Sequence, residues 1–256
     1  MEVHAHTHTG PIAIGRKKFT HYLWEFLMLF LAVTLGFFVE NMRENLTDRK
    51  KEKSYINSLI ADLKNDTTMI AQVAKADFKL LRGQDSLVDL LSNFKDNDSV
   101  NRKAYRYYFL YATRYIEMIF NERTMSQLLN TGNMRLISSQ RISDSIMDYN
   151  FWVRYVQSQG KAYEEYFKKT LDFSNSLFDF TYTRNYMDKD YNITPKLQLA
   201  NITFILLTKD PTTIKKYAIQ LTMLAGILEG NLFLLKTAKE KATRLIALLN
   251  KNYHTG

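Results

Sequence analysis

The chain of 256 residues contains no cysteine, which excludes a disulfide framework, a thiolate nucleophile and a thiolate zinc site. It has five histidines, but none lies between His21 and His254. A body without thiol or imidazole has no Ser-His or Cys-His pair, no histidine-ligated metal and no ordinary general base near neutral pH. Gly-rich phosphate-binding loops are also missing from the sequence. We therefore expect no enzymatic activity and no cofactor.

Helix-breaking residues are scarce, with 3 prolines and 9 glycines, whereas tyrosine and phenylalanine number 16 each. This balance favours long, aromatic-rich helices and an all-α fold. The composition, 46% hydrophobic and 24% charged, is close to that of globular proteins, so neither wholesale disorder nor a multi-span membrane protein fits. The net charge of +9 is concentrated beside the hydrophobic run described next and along the last predicted helix.

The longest hydrophobic run predicts a transmembrane helix at residues 20–40. Between Glu25 and Glu40 lie 14 uncharged residues. A helix from Tyr22 onward is about 27 Å long, close to a hydrocarbon thickness of about 30 Å. Tyr22 and Trp24 then form an interfacial aromatic belt, with Glu25 about one turn inside it.

Two alternatives to a membrane span are less consistent with this run. A cleaved signal peptide ends in small residues, but this run ends in Phe37, Phe38 and Val39. A buried helix of a soluble protein has a polar face, whereas this one is apolar on every face. Glu25, an ionisable group at the edge of the apolar zone, either faces a partner or extends to the interface beside Lys17, Lys18 and His21.

The charges around the run predict its orientation. Arg16, Lys17 and Lys18 precede it and favour a cytoplasmic N-terminus, although five basic residues follow within 43–53. A short tail before a hydrophobic run is typical of a signal-anchor. We therefore expect a single-pass protein of the bacterial inner membrane with a periplasmic body.

No proline interrupts the chain between the hydrophobic run and Gly83, so we predict that the span continues into a long amphipathic helix. Its apolar stripe runs from Ile56 to Leu80 at helical spacing. Asp62, Asp66 and Asp77 lie near this stripe. A paired-carboxylate site is one interpretation, but solvated flanks of a bundle helix are the expectation.

Loop and capping residues predict where the remaining helices begin and end. After a loop at residues 93–101, a helix is expected at about 102–130, ending at Gly132 in a left-handed turn. Ser138 or Ser139 caps a helix to about Phe178, followed by an irregular, Tyr-rich stretch at 179–194. Thr194-Pro195 and Asp210-Pro211 are both typical helix starts.

The last predicted helix runs from Pro211 to about Lys251 and carries a seven-residue apolar repeat that includes Leu221, Leu224, Leu228 and Leu235. Gly226 and Gly230 form a small-xxx-small pair, expected to allow close packing within a bundle. The predicted organisation is a flexible tail at 1–19, the span at 20–40, and an antiparallel helical bundle at 41–256. Its last helix packs back along the first.

Three weaker signals have ordinary alternatives. His4, His6 and His8 alternate and could bind zinc, copper or nickel, but a disordered polar tail is the expectation. Arginines at 102, 106 and 114 interleave with tyrosines, a pattern seen in single-strand nucleic-acid binding. Here an inward tyrosine stripe is expected instead, so no nucleic-acid partner is predicted. Basic residues of the last helix face either anionic lipid head groups or solvent.

Two stretches resemble an uncharacterised family of bacterial single-span membrane proteins. The first comprises Trp24-Glu25 through Asn41, Arg49 to Tyr55 and Leu59 to Leu63. The second comprises Leu128 to Ile137, followed by Ile142, Ile146 and Tyr149. The resemblance covers about a third of the chain, and this span is more aromatic than the family pattern. It implies an anchored helical body of unknown role, with no catalytic signature.

The sequence therefore supports two functional hypotheses. The first is a membrane-anchored structural or interaction protein, an accessory component that docks on another membrane or envelope protein or on a second copy of itself. The alternative is a ligand-sensing bundle that binds a small molecule between Tyr-rich helices.

Overall fold

The computed structural model describes residues 19–182 and 203–253, and its secondary structure there is helical throughout, without a β-strand. The prediction of an all-α helical bundle is confirmed. The predicted His tail and the Thr194-Pro195 helix start lie outside the described residues. The helices are α1 (Phe19–Ser92), α2 (Asp98–Tyr107), α3 (Arg123–Asn130), α4 (Gln140–Ser174) and α5 (Pro211–Tyr253).

The contacts divide the chain into two units, residues 1–51 and 52–256. In the first unit, every residue from Phe19 to Thr47 is exposed, including the whole apolar run. The large apolar side chains of Phe26, Leu29 and Phe37 are 64%, 67% and 76% exposed. The apolar window of this segment is long enough to cross a membrane, and none of it is buried within the protein.

The second unit is built on the part of α1 that follows Lys51. Here the predicted stripe is buried: Ile56 and Leu63 are fully covered, and Leu80 is 5% exposed. The early part of this stripe packs with the start of α4 and the end of α5, whereas Leu87 and Leu91 pack with the start of α5. Accordingly α4 runs parallel to α1 in this unit and α5 runs antiparallel, as predicted for the last helix.

A fourth segment packs against α1, in addition to α4 and α5. It comprises residues 108–139, which connect α2 to α4 and run antiparallel to α1, and is here called the return segment. The sequence predicted one helix at about 102–130, and this prediction is wrong. A π-helical turn at Tyr108–Ala112 follows α2, residues 114–122 are irregular, and α3 is only eight residues long. Tyrosine, threonine and isoleucine are weak helix formers here, and α1 offers other acceptors for the freed backbone amides.

Two local turn predictions are confirmed. Gly132 adopts the left-handed conformation with a φ of 69°, which a residue with a side chain rarely takes. The Asp210 carboxylate accepts hydrogen bonds from the backbone amides of Thr212 and Thr213, at 3.3 and 2.9 Å, as an N-cap of α5. α4 begins after Ser139 and ends at Ser174, four residues before the predicted Phe178.

Candidate functional site

Four carboxylates of α1, here called the acidic row, are buried inside the second unit. They are Glu52, Asp62, Asp66 and Asp77, and each is at most 6% exposed. Asp62, Asp66 and Asp77 follow one another at intervals of four and eleven residues, which places them on one face of a helix. The expectation that the three aspartates are solvated flanks is therefore wrong, because the return segment covers this face.

Asp66 has three hydrogen-bond donors. Its Oδ1 accepts from the Asn121 backbone amide at 2.8 Å and from Asn121 Nδ2 at 3.0 Å. Its Oδ2 accepts from the Tyr149 hydroxyl of α4 at 2.7 Å. Burial, and then the neighbouring Asp66 carboxylate, raises the pKa of Tyr149, so this phenol stays protonated and donates. Asp66 therefore joins α1, the return segment and α4.

Asp62 caps the short helix α3 from outside. Its Oδ2 accepts from the Thr124 backbone amide at 3.2 Å and from the Thr124 hydroxyl at 2.5 Å. The Arg123 guanidinium lies 3.2 Å from Oδ1. The first amides of a helix have no partner within it, and its N-terminus carries partial positive charge. A carboxylate from α1 satisfies both needs, since Glu122 at the N-cap makes no side-chain capping bond.

Glu52 is the third acid of α1 that accepts hydrogen bonds from the return segment. Its Oε1 accepts from the Ser138 amide at 2.7 Å, the Ser138 hydroxyl at 3.0 Å and the Tyr253 hydroxyl at 2.5 Å. Burial, and then Glu52 itself, raises the pKa of Tyr253. Nearby, Asn133 Nδ2 donates to the Tyr55 hydroxyl at 2.8 Å. This cluster joins the ends of the return segment and of α5 to α1.

Asp77 differs from the other three acids, because no hydrogen bond or ion pair to it forms within residues 19–182 and 203–253. Its side chain lines a cavity of about 260 Å³, here called the Asp77 cavity. It is nevertheless only 4% exposed. Burial raises the pKa of Asp77 from 3.8 to about 7, so the fold makes its ionisation costly.

Tyrosines from two elements form one wall of the Asp77 cavity. The rings of Tyr115, in the return segment, and Tyr163, in α4, lie with their centroids 5.6 Å apart. Burial, as the largest cause, raises the pKa of each to about 12, so both phenols stay neutral. A Cβ at Gly160 would lie 3.9 Å from the Tyr115 hydroxyl, an ordinary van der Waals contact, so the wall does not require a glycine there.

Polar and charged groups complete the lining. Asn231 reaches the cavity from α5, and Gln157 from α4. The lining also includes two acidic residues, Glu117 and Glu122, and one basic residue, Lys161. The part of the chain that the structure describes holds no group of three or more residues suited to bind a metal ion. The arrangement offers instead one buried carboxylate, aromatic faces and amide groups.

The predicted interface residues of the span lie in the first unit. Tyr22 and Trp24 are 56% and 62% exposed. Glu25 lies 3.0 Å from the His21 imidazole, one turn earlier on the same helix. His4, His6 and His8 lie outside the described residues.

The heptad repeat of α5 is its buried face: Leu221, Leu224, Leu228 and Leu235 are each at most 2% exposed. The prediction that Gly226 and Gly230 allow close packing within the bundle is wrong. A Cβ added at either glycine would meet no atom within 4 Å. Gly226 follows Leu224 by two residues, a rotation of about 200°, so a helix that buries the leucine exposes the glycine.

The tyrosines near the arginines pack inward, as the ordinary interpretation expected. Tyr105 and Tyr108 are fully buried, and the Tyr108 ring stacks on Phe178 at 4.0 Å between centroids. The Tyr105 hydroxyl donates to the Ile205 carbonyl at 2.9 Å. These rings belong to the core and are unavailable for stacking on bases.

Sequence reasoning missed three members of the site: Glu52, Tyr115 and Tyr163. Glu52 stands in a charged run, where burial leaves no signal. Tyr115 lies within the helix predicted at 102–130, which does not form. Tyr163 lies within the predicted helix that ends near Phe178, where nothing in the sequence distinguishes it. The signal that was present is the placement of Asp62, Asp66 and Asp77 beside an apolar stripe.

Comparison of the chain with models of protein families, with curated proteins and with solved structures finds no match in any of the three.

Proposed function

We propose that this protein is a membrane-anchored helical bundle that acts by binding other molecules rather than by catalysis. The exposed apolar segment of α1 is the observation that supports the anchor. In water, about 25 cal/mol per Å² favours covering such a surface, yet no part of this window is covered within the protein. A lipid bilayer supplies that cover, consistent with the sequence resemblance to single-span membrane proteins.

The orientation belongs to the same proposal: a cytoplasmic N-terminus and a periplasmic body in the bacterial inner membrane. It rests on Arg16, Lys17 and Lys18 before the span. Because the chain has no cysteine, Thr7→Cys and Thr255→Cys each introduce a single reactive thiol. An impermeant thiol reagent applied to intact cells with a permeable outer membrane should label position 255 and not position 7. Labelling of position 7 alone would reverse the orientation, and labelling of neither in lysed cells would contradict an accessible terminus.

The binding of another envelope protein or of a second copy of the chain is supported by apolar surface in the second unit. On α4, Phe151 and Tyr155 are 60% and 41% exposed, and on α5, Phe233 is 65% exposed. The exposed rings of Phe151 and Tyr155 lie 6.1 Å apart between centroids, and exposed apolar groups that lie together commonly mark interaction sites. Extraction in mild detergent, followed by affinity capture and sizing, tests this role. A chain that is strictly monomeric and without partners in cross-linked membranes would contradict it.

A second candidate function is the binding of a small molecule, and the Asp77 cavity specifically favours it. Binding pockets are typically apolar and aromatic concavities with a few convergent polar groups, and their titratable residues often have shifted pKa values. At about 260 Å³ the cavity falls just below the usual range of about 300–1,000 Å³, which suits a small ligand. A ligand at 100 times its dissociation constant adds about 2.7 kcal/mol to the stability, so a thermal-shift screen detects it.

A further inference from the structure

The Asp77 cavity contains a buried carboxylate, that of Asp77, without a hydrogen-bond donor or cation among the described residues. Asp66 and Asp77 lie on the same face of α1 and are 2% and 4% exposed. Asp66 has three donors, whereas Asp77 has none within the described residues. An ionised carboxylate removed from water is costly unless it is paired and hydrogen-bonded. A cation placed in the cavity would supply that pair.

The charges around the cavity also favour a cation. Glu117 and Glu122 line it together with Asp77, and Lys161 is the one basic residue among the described residues of the lining. The side chains of Glu117, Glu122 and Lys161 are all exposed, so Asp77 is the buried charge. Lys161 forms no ion pair with Asp77 in the structure. A cleft lined mainly by one sign of charge raises the local concentration of ions of the opposite sign.

The remaining lining suits an organic cation better than a metal ion. Tyr115 and Tyr163 present aromatic rings, whose electron-rich faces attract ammonium groups. Asn231 adds an amide group to the lining. Hard metal ions such as Ca²⁺ require six to eight oxygen ligands, and this cavity holds only one buried carboxylate.

We propose that the Asp77 cavity binds a small organic ammonium ion, with the Asp77 carboxylate as its counter-ion and the rings of Tyr115 and Tyr163 against its alkyl groups. This inference rests on the small-molecule binding proposed above. The ammonium group replaces the missing donors of Asp77, and the aromatic wall covers the apolar part of the ligand.

The test uses the full chain in detergent and two probes, ethanolamine and choline, measured by isothermal titration and thermal shift. The uncharged isostere of choline, 3,3-dimethyl-1-butanol, is the control ligand. At least one of the two ammonium probes should bind and raise the melting temperature, and the isostere should not. Asp77→Asn should weaken binding of the ammonium probe by about 30-fold or more, because it removes one partner of a buried charge pair.

Asp85→Asn is the matched control variant, because it makes the same change of charge at an exposed position of α1. It should leave the affinity unchanged. Tyr115→Leu should weaken binding of choline while Tyr115→Phe retains most of it, since the ring face rather than the hydroxyl carries the contact.

The affinity should also depend on pH, because the ligand binds the ionised carboxylate. The titratable and charged groups facing Asp77 across the cavity are Tyr115, Glu117, Glu122, Lys161 and Tyr163. Burial raises the pKa of Asp77 to about 7. Binding should therefore weaken about tenfold from pH 8 to pH 6, and Asp77→Asn should remove this dependence.

Three results would overturn the proposal. Equal binding of the uncharged isostere would show that the cavity binds neutral molecules. The proposal of small-molecule binding would then stand, and the proposal of a cationic ligand would be rejected. Stabilisation by sodium or potassium but by neither ammonium probe would assign an inorganic ion. The absence of binding by both probes at about 1 mM, which is 1,000 times a micromolar dissociation constant, would reject the ligand class. The thiol-labelling experiment tests the orientation independently of this result.

Discussion

Asp66 and Asp77 are separated by three turns of the same helix, and comparing them shows that burial alone does not define the role of a carboxylate. Both are nearly inaccessible, at 2% and 4% exposure. Asp66 meets two donors of Asn121 and the hydroxyl of Tyr149. Asp77 lines a cavity and has no such donor among the described residues. The first acid holds the fold together, and the second destabilises it unless a proton or a ligand neutralises its charge.

The largest expected effect is that of Asp66→Asn. The asparagine amide keeps the shape of the side chain but loses the negative charge that strengthens three hydrogen bonds, so the free energy of unfolding should fall by about 3 kcal/mol. Urea denaturation at pH 7 measures this change. The exposed Asp85→Asn is the control and should stay within about 0.5 kcal/mol of the parent. An unchanged midpoint for Asp66→Asn would show that its hydrogen bonds contribute nothing.

Near Gly83 the return segment is held by side-chain packing and by one hydrogen bond, from Gln84 Nε2 to the Tyr111 carbonyl at 3.2 Å, rather than by a carboxylate. A Cβ at Gly83 would lie 1.9 Å from Cγ of Tyr111, so the ring occupies the space that a side chain would take. Gly83→Ala should therefore destabilise the bundle by about 2 kcal/mol, the usual cost of overpacking. Thermal and urea unfolding both measure it.

Gly226→Ala is the matched control for this substitution, since its added methyl group meets no atom within 4 Å. Alanine is the better helix former, so this variant should gain about 0.5–1 kcal/mol. Equal losses in the two variants would contradict the contrast between a covered and an open glycine.

Asp77→Asn should act in the opposite direction to Asp66→Asn. The native carboxyl has a pKa of about 7 against 3.8 in the unfolded chain, so between these values the native state holds more protons. The stability contributed by this group is therefore full below about pH 4 and is lost as the pH rises through 7. The asparagine variant lacks the penalty and should be more stable than the parent by about 2 kcal/mol at pH 8.

The measurement is urea unfolding of both proteins across this pH range without ligand. The difference between them should shrink toward zero near pH 4. A difference that is constant across the range, or that grows on acidification, would contradict the assignment of the raised pKa to Asp77.

The smallest expected effect is that of Tyr149→Phe. It removes one of the three donors to Asp66 and leaves the ring in the core, so a loss of about 1 kcal/mol is expected. In a double-mutant cycle with Asp66→Asn the two losses should not add, because they share one interaction. Full additivity would place the effect of Tyr149 elsewhere.

Much of the helical framework was predictable because its signals are local. The seam of α5 from Ile214 to Leu249 follows from a seven-residue repeat, and Asp210-Pro211 marks the helix start. Gly132 and the break before α4 were equally visible. The acidic row was not, since a carboxylate beside an apolar stripe is usually solvated, and only the neighbouring segment decides otherwise.

Two helices in the described part of the chain, α1 and α5, each contain a window that is long and apolar enough to cross a membrane. Length and composition alone do not decide which of them is the span. The window in α1 is 0% buried, whereas that in α5 is 39% buried, with its leucines in the bundle core. The difference supports assigning the anchor to α1. It also explains the exposure of Gly226 and Gly230, because the face opposite the leucines remains uncovered.

The sequence by itself determined that the chain is helical, that its N-terminal run is apolar on every side, and which face of α5 is buried. These properties depend on residue type and spacing within a single element. Only the tertiary structure decided that the helix predicted at 102–130 breaks into a return segment and that three acids of α1 receive its amides. Hydrogen bonds between distant residues such as Asp66 and Asn121 leave no periodic trace. The same holds for Asp77, because a cavity is defined by what four separate segments fail to fill.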